Sequence, residues 1–238
     1  MDWKDELRRP AAPFRSKPFW ALNDRLEADE LRRQVRAFKA MGFGGVFFHS
    51  RVGLRTPYLH EEWFEALDAV VGESADNGME TWLYDEDRWP SGAAGGLVTR
   101  DGRYGRVWLR VDIEPLDRTD GSREPISSHR DDPIVAAFTA RHTGESYRDI
   151  SFIGRDSTYA DVRRRAEKTE IAQANRGTGV LVLFFLEREE ASPWFNGATY
   201  LDTLDPDAVA EFIRITHERY RRRAGKHFGS TIPGIFTD

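Results

Sequence analysis

Polar side chains follow four short apolar runs of this sequence, each at the point where the run ends. They are Asn23 and Asp24 after the first run, His49 and Arg51 after the second, Asp85, Glu86 and Asp87 after the third, and Asp238 after the last. Carboxylates, an imidazole and an amide can move protons, hold a cation or hydrogen-bond the hydroxyls of a sugar. Their chemistry depends on whether the fold brings these groups together.

Two aromatic loops accompany the polar groups. Trp89 opens a loop of small residues that runs to Gly96, and Trp194 precedes Asn196 in a second loop. Acidic groups beside an exposed ring can hold sugar hydroxyls while the ring stacks on the C–H face of the sugar. We expect the second loop to border the same cleft as Trp89, although Asn196 followed by Gly197 is also a common tight-turn pair.

The elements that must position these groups alternate along the first hundred residues. The apolar runs Phe19–Asn23, Gly44–His49 and Met79–Tyr84 predict strands, and the amphipathic segments Ala28–Met41 and His60–Asp76 predict helices. Strands that alternate with helices indicate βαβ units and a parallel sheet. Ligands of such sheets lie beyond the carboxyl ends of the strands, where the polar groups stand.

The middle of the chain breaks this pattern. Four runs predict short strands with Asp, Gly, Pro and Ser between them: Val107–Val111, Ile134–Ala140, Ile150–Ile153 and Gly179–Leu186. We therefore predict an inserted, mostly β subdomain over residues 103–190, with barrel elements over 14–102 and 191–238. The fold class is α/β: a partial TIM-type (β/α) barrel of about four strands, interrupted by the insertion.

Composition excludes several functional classes. The chain has 35 basic and 40 acidic side chains, a net charge of −5, which excludes a strongly basic nucleic-acid binder. It has no cysteine, so disulfides, thiolate nucleophiles and thiolate metal ligands are excluded. No apolar run reaches the roughly 20 residues of a membrane span, and the charged start lacks the apolar centre of a signal peptide. We expect a cytoplasmic protein with no nucleic-acid or membrane partner.

Four segments carry a family resemblance: Pro18–Asn23, Gly42–Phe47, Leu83–Gly96 and Ile232–Asp238. Together they resemble the (β/α)-barrel glycoside hydrolases related to the bacterial α-L-rhamnosidases. The segment Leu83–Gly96, with the sequence LYDEDRWPSGAAGG, is the most specific of the four. The resemblance covers residues 18–96 and 192–238 and is poor in the insertion.

The resemblance implies hydrolysis of a terminal glycosidic bond by two carboxyl groups. The acid/base of the family would be a Glu directly after the position of Asp238, and its partner would come from a later strand, so we expect no catalytic residue in these 238 residues. Asp85, Glu86 and Trp89 match family motifs and are assigned to substrate binding. With the other strand-end and loop residues, the expected carbohydrate-binding set is Asn23, His49, Asp85, Glu86, Trp89, Trp194, Asn196 and Asp238.

Two other functions fit the same residues. A metal-dependent sugar-processing barrel enzyme, such as an isomerase, would use His49, Asp85, Glu86 and Asp87 as ligands. A non-catalytic carbohydrate-binding protein would use the Trp loops alone. We expect no cofactor; calcium is suggested by analogy with rhamnosidases, but no ligand spacing requires it. Because about four barrel strands leave an unpaired apolar edge, we also expect self-association through that edge.

Overall fold

A computed structural model describes residues 3–117, 133–174 and 177–238, which form two compact units. Unit 1 comprises the residues up to Arg106 together with Glu190–Asp238, and unit 2 comprises Val107–Glu189. In chain order the elements are α1 Trp3–Arg8, β1 Phe19–Leu22, α2 Ala28–Ala40, β2 Gly45–Ser50, α3 Glu61–Asp76, β3 Glu80–Tyr84, β4 Val107–Pro115, β5 Ile134–His142, β6 Tyr147–Gly154, α4 Tyr159–Ala166, α5 Glu170–Ala174, β7 Gly179–Arg188, α6 Pro206–Ile215, α7 His217–Ala224 and β8 Ile235–Phe236.

Unit 1 is built on a four-stranded parallel sheet in the order β1-β2-β3-β8. Phe19 lies opposite Phe47, Phe47 lies opposite Trp82, and Tyr84 lies opposite Phe236. The strands β1 and β8 are the two edges of this sheet. The predicted mixed α/β class with a parallel sheet is therefore confirmed.

The helices of unit 1 bury one face of the parallel sheet. Phe48 of β2 packs on Trp63 of α3, with 4.6 Å between the ring centroids. The indole nitrogen of Trp63 donates a hydrogen bond of 3.1 Å to the hydroxyl of Tyr220 in α7. Leu31 and Val35 of α2 complete this core. No helix in the described ranges is long and apolar enough to cross a membrane.

The other face of the parallel sheet is aromatic. Successive side chains of a strand point to opposite faces, so alternate residues of four strands meet there. Phe19 stacks on Phe47 at 4.7 Å, and Tyr84 stacks on Phe236 at 5.7 Å. Phe19 remains 50% exposed. This face leads to the carboxyl ends of the strands and supplies the apolar walls of the site.

Unit 2 is an antiparallel sheet in the order β4-β7-β5-β6. Its apolar core includes Leu181 and Leu183 of β7 and Val162 and Ala166 of α4. The α4 helix is capped at its N-terminus by Thr158, whose hydroxyl oxygen accepts the backbone N–H of Asp161. The strands predicted in the middle of the chain form this antiparallel sheet, which α4 and α5 accompany.

Candidate functional site

A cavity of about 450 Å³ opens at the carboxyl ends of the parallel strands of unit 1. All four strands or the loops that follow them contribute to its wall, which is formed by Phe19, Ala21, His49, Arg51, Tyr84, Trp89, Phe236 and Asp238. The structure thus brings together three of the predicted binding residues, His49, Trp89 and Asp238. The other lining residues come mainly from the aromatic face of the sheet.

His49 is buried at the base of the cavity, with 4% of its surface exposed. Its ring meets Tyr84 edge-on at 4.1 Å and Phe19 edge-on at 5.3 Å. Among the described residues, none forms a hydrogen bond with either ring nitrogen. Burial, and next the charge of Arg51, lower the pKa of His49 to about 4. The imidazole is therefore neutral at pH 7 and offers one N–H donor and one acceptor nitrogen.

We expect this burial to make stability depend on the protonation of His49. The pKa of His49 lies at about 4 in the folded chain against 6.5 ordinarily, so the unfolded chain binds the proton first as the pH falls. Stability from the neutral ring is complete above pH 6.5 and is lost as the pH falls from about 6.5 to 4. A His49→Phe variant keeps the ring contacts, but its side chain does not titrate, so it should not lose this stability at low pH.

The check is the free energy of unfolding of both proteins, measured by urea denaturation between pH 4 and pH 8. Between pH 8 and pH 4, the free energy of unfolding of the wild type should fall by about 3 kcal/mol more than that of His49→Phe. A constant difference across the window would contradict the burial of a neutral imidazole.

Trp89 forms the outer wall of the cavity and is supported by the second aromatic loop. The guanidinium carbon of Arg51 lies 3.9 Å from the centroid of the Trp89 ring. The indole nitrogen of Trp194 donates a hydrogen bond of 2.7 Å to the carbonyl oxygen of Trp89, and the two rings meet edge-on at 5.0 Å. Trp89 keeps 39% of its surface exposed. Trp194 therefore positions Trp89 and does not line the cavity itself.

Asp238 is the carboxylate that faces the cavity. Its Oδ2 atom lies 3.5 Å from the hydroxyl of Tyr84. The backbone of Asp238 is tied to the loop by two hydrogen bonds of 3.1 Å, one from Ser91 N to its carbonyl and one from its own N to Ser91 Oγ. Burial and then the charge of Asp238 raise the pKa of Tyr84. The Tyr84 hydroxyl thus keeps its proton at pH 7 and can donate a hydrogen bond.

Asp85 lies behind the cavity wall. It is fully buried and accepts hydrogen bonds from Ser91 Oγ at 2.5 Å and from Thr237 Oγ1 at 2.7 Å. The Nε2 atom of His217 lies 3.2 Å from its Oδ2. The Asp85 carboxylate therefore joins the end of β3 to the loop, to β8 and to α7.

Glu86 holds the loop that carries Trp89 through four backbone donors. Oε2 accepts the N–H groups of Gly92 at 2.9 Å and Ala94 at 2.7 Å, and Oε1 accepts those of Gly95 at 2.6 Å and Asp87 at 2.8 Å. Burial raises the pKa of Glu86 to about 7, against the N–H donors, which lower it. Glu86 lies under the loop and does not line the cavity.

Asp87 joins the two aromatic loops. Its carboxylate accepts a hydrogen bond from Ser50 Oγ at the end of β2 and another, of 2.9 Å, from Asn196 Nδ2. The same Asn196 nitrogen donates to the carbonyl of Gly95 at 3.1 Å. Of the predicted set, Asp85, Glu86, Trp194 and Asn196 build the support of the cavity, whereas Asn23 is exposed and outside its lining.

Comparison with family models, curated proteins and solved structures finds no match. The site must be interpreted from its own geometry. In the described parts of the chain, no three His, Asp or Glu side chains converge as ligands of a metal ion would.

Several residues of the site were missed by sequence reasoning. Phe19, Tyr84 and Phe236 lie within apolar runs, where nothing marks which ring points to the cavity. The alternation of side chains along each strand could have identified them, because Phe19 and Ala21 of β1 share one face of the sheet with Phe47 and His49 of β2. His217 begins a helix far along the chain, and no local pattern connects it with Asp85.

Proposed function

We propose that unit 1 is the sugar-binding part of a (β/α)-barrel glycoside hydrolase related to the α-L-rhamnosidases, and that its cavity binds a terminal sugar residue. The observation that carries the proposal is the half-exposed ring of Trp89 in one cavity with the Asp238 carboxylate and the unpaired His49 imidazole. A ring that stacks on C–H groups beside donors and acceptors for hydroxyls matches the amphipathic surface of a pyranose.

The architecture supports the barrel assignment. The parallel strands follow one another in chain order across the sheet, with the insertion between the third and fourth, and helices cover one face. In a barrel the helices lie outside and the opposite face lines the interior. The aromatic face of unit 1 would occupy that interior, with the cavity at the carboxyl end, where barrel enzymes place their active sites.

Within the described residues, Asp238 is the single carboxylate that lines the cavity. Glycoside hydrolysis uses two carboxyl groups, and those of Asp85, Glu86 and Asp87 are held by hydrogen bonds to the loops and neighbouring elements. We therefore assign the described residues to sugar binding and orientation. A non-catalytic carbohydrate-binding protein is the second candidate, because the same single carboxylate is sufficient for binding.

The proposal is tested by sugar binding to the 238-residue chain. We expect saturation-transfer NMR against a panel of neutral monosaccharides and aryl glycosides to identify at least one ligand. Trp89→Ala should weaken its binding at least tenfold, because the stacking surface is lost. Trp108→Ala is the matched control, since Trp108 is also 39% exposed but lies in unit 2.

Two results would count against the proposal. If no sugar of the panel binds, or if Trp108→Ala weakens binding as much as Trp89→Ala does, the cavity is not the sugar site. Release of sugar from an aryl glycoside would favour the hydrolase, whereas binding without release is expected of both candidates, because the described residues are assigned to binding.

A further inference from the structure

One face of the antiparallel sheet in unit 2 is apolar and exposed. In β4 the residues Leu109, Val111 and Ile113 point to this face, because Val111 pairs with Phe184 and Ile113 with Val182 of β7. A shallow depression of about 340 Å³ at its centre is lined by eight residues, none of them charged, which include Phe138 and Phe184. The face therefore has an apolar centre that reaches across all four strands.

The charged residues of the same strand point the other way. Arg110, Asp112 and Glu114 alternate with the apolar residues of β4 and lie on the side of the sheet that α4 covers, where Glu114 accepts a hydrogen bond from Tyr159. A two-sided antiparallel sheet ordinarily presents its polar residues to water and its apolar residues to the core. This sheet has apolar residues on both sides, which is the pattern of a sheet covered on both faces.

We propose that this apolar face is the interface of a symmetric dimer of this chain. Four strands spaced about 4.8 Å apart, each of about nine residues at about 3.4 Å per residue, give a face of roughly 600 Å² before the relief of the side chains is counted. Two such faces would bury about 1,200 Å² in total, the lower end of the roughly 1,200–2,000 Å² of stable interfaces, and one face is at the upper limit of the about 300–600 Å² apolar patch of an ordinary monomer. The face thus has the size that a dimer needs.

A second copy is the occupant that the chemistry of the face favours. In a symmetric dimer each patch meets an identical patch, so a charge at the centre would meet a like charge. The centre of this face contains no charge, and Phe138, Phe152 and Phe184 form a cluster of rings that can interdigitate with its copy. Two such sheets pack about 10 Å apart in a sandwich. This surface differs from the barrel edge of unit 1 through which the sequence predicts association.

The experiment measures the mass of the whole chain by light scattering after size-exclusion chromatography, and by sedimentation velocity, over roughly 1–100 µM. The wild-type chain should be a dimer at the upper end of this range. Ile113→Lys should raise the dissociation constant at least about 100-fold, because a lysine would be buried without a partner. Ile213→Lys on α6 is the matched control: both isoleucines are 44% exposed, and the control should remain dimeric.

The proposal is overturned if the wild-type chain is monomeric at the highest concentration. It is also overturned if Ile113→Lys dimerises as strongly as the wild type, which would assign association to another surface such as the barrel edge. Far-UV circular dichroism verifies that each variant is folded. If Ile113→Lys has lost its structure, Ile150→Lys, at a 64% exposed position of the edge strand β6, decides in its place.

Discussion

At pH 8, where most of Glu86 is ionised because its pKa is about 7, a Glu86→Gln substitution is expected to destabilise unit 1 by about 4 kcal/mol. Two buried backbone donors would each lose a hydrogen bond worth about 1–3 kcal/mol. The carboxylate presents two acceptor oxygens, and each receives two N–H groups. An amide offers one oxygen, so its NH2 group must face either Gly92 and Ala94 or Gly95 and Asp87. The NH2 group of the glutamine would then face two backbone N–H donors at a buried position, where water cannot replace the lost acceptor.

Urea denaturation followed by tryptophan fluorescence measures this loss, since Trp89 lies in the loop that Glu86 holds. Amide hydrogen exchange gives a second measurement: in the folded variant either the N–H groups of Gly92 and Ala94 or those of Gly95 and Asp87 should exchange faster. Glu65→Gln is the control, because it removes the same charge from an exposed position of α3. A Glu86→Gln chain within 1 kcal/mol of the control would contradict the role of Glu86 as the acceptor for the loop.

The framework of unit 1 could be predicted because its strands are mostly apolar runs that alternate with amphipathic helices. Gly45–Ser50 and Glu80–Tyr84 coincide with predicted runs to within one residue, and α2 ends one residue before Met41. The convergence of His49 and Asp238 also followed from the sequence, since the carboxyl ends of parallel strands share one edge of a sheet. Whether these strands belong to a barrel stays a prediction.

The roles inside the acidic cluster could not be predicted, because they depend on partners distant in the chain. Asp87 meets Ser50 from 37 positions away and Asn196 from 109 positions away. Three consecutive carboxylates point in different directions, and each finds its own donors in other segments. Sequence reasoning assigned Asp85 and Glu86 to substrate binding, whereas in the described contacts the three carboxylates hold the loops that shape the cavity.

Which face of a strand in unit 2 is exposed could not be predicted from the sequence either. The alternation of Val111, Asp112 and Ile113 predicts a strand with one apolar side, and the usual interpretation places that side toward the core. In unit 2 the helices cover the side that carries Asp112 instead. Only the register with β7 reveals that both sides of this sheet carry apolar residues.

Gly96→Ala is expected to separate the two aromatic loops and to lower the free energy of unfolding by about 4 kcal/mol. This magnitude is expected because strain at an unusual backbone conformation adds to a steric clash. Gly96 has φ +84°, where side chains are strained, and a Cβ atom there would lie 2.3 Å from the carbonyl oxygen of Phe195. That oxygen is backbone and cannot rotate away. The Phe195 segment must move, and with it the contacts of Trp194 and Asn196 that support Trp89 and Asp87.

Gly102→Ala distinguishes the two causes of this loss of stability, which are backbone strain and the steric clash. Gly102 has a similar φ of +76°, but nothing lies within 4 Å of its Cβ position, so it measures the backbone strain alone, about 1 kcal/mol. Urea denaturation should show the larger loss for Gly96→Ala, and sugar binding should fall for this variant only, because the Trp89 wall depends on the second loop. Equal stability of the two variants would mean that the loops are not packed at Gly96. Full sugar binding by Gly96→Ala would mean that the second loop does not position Trp89.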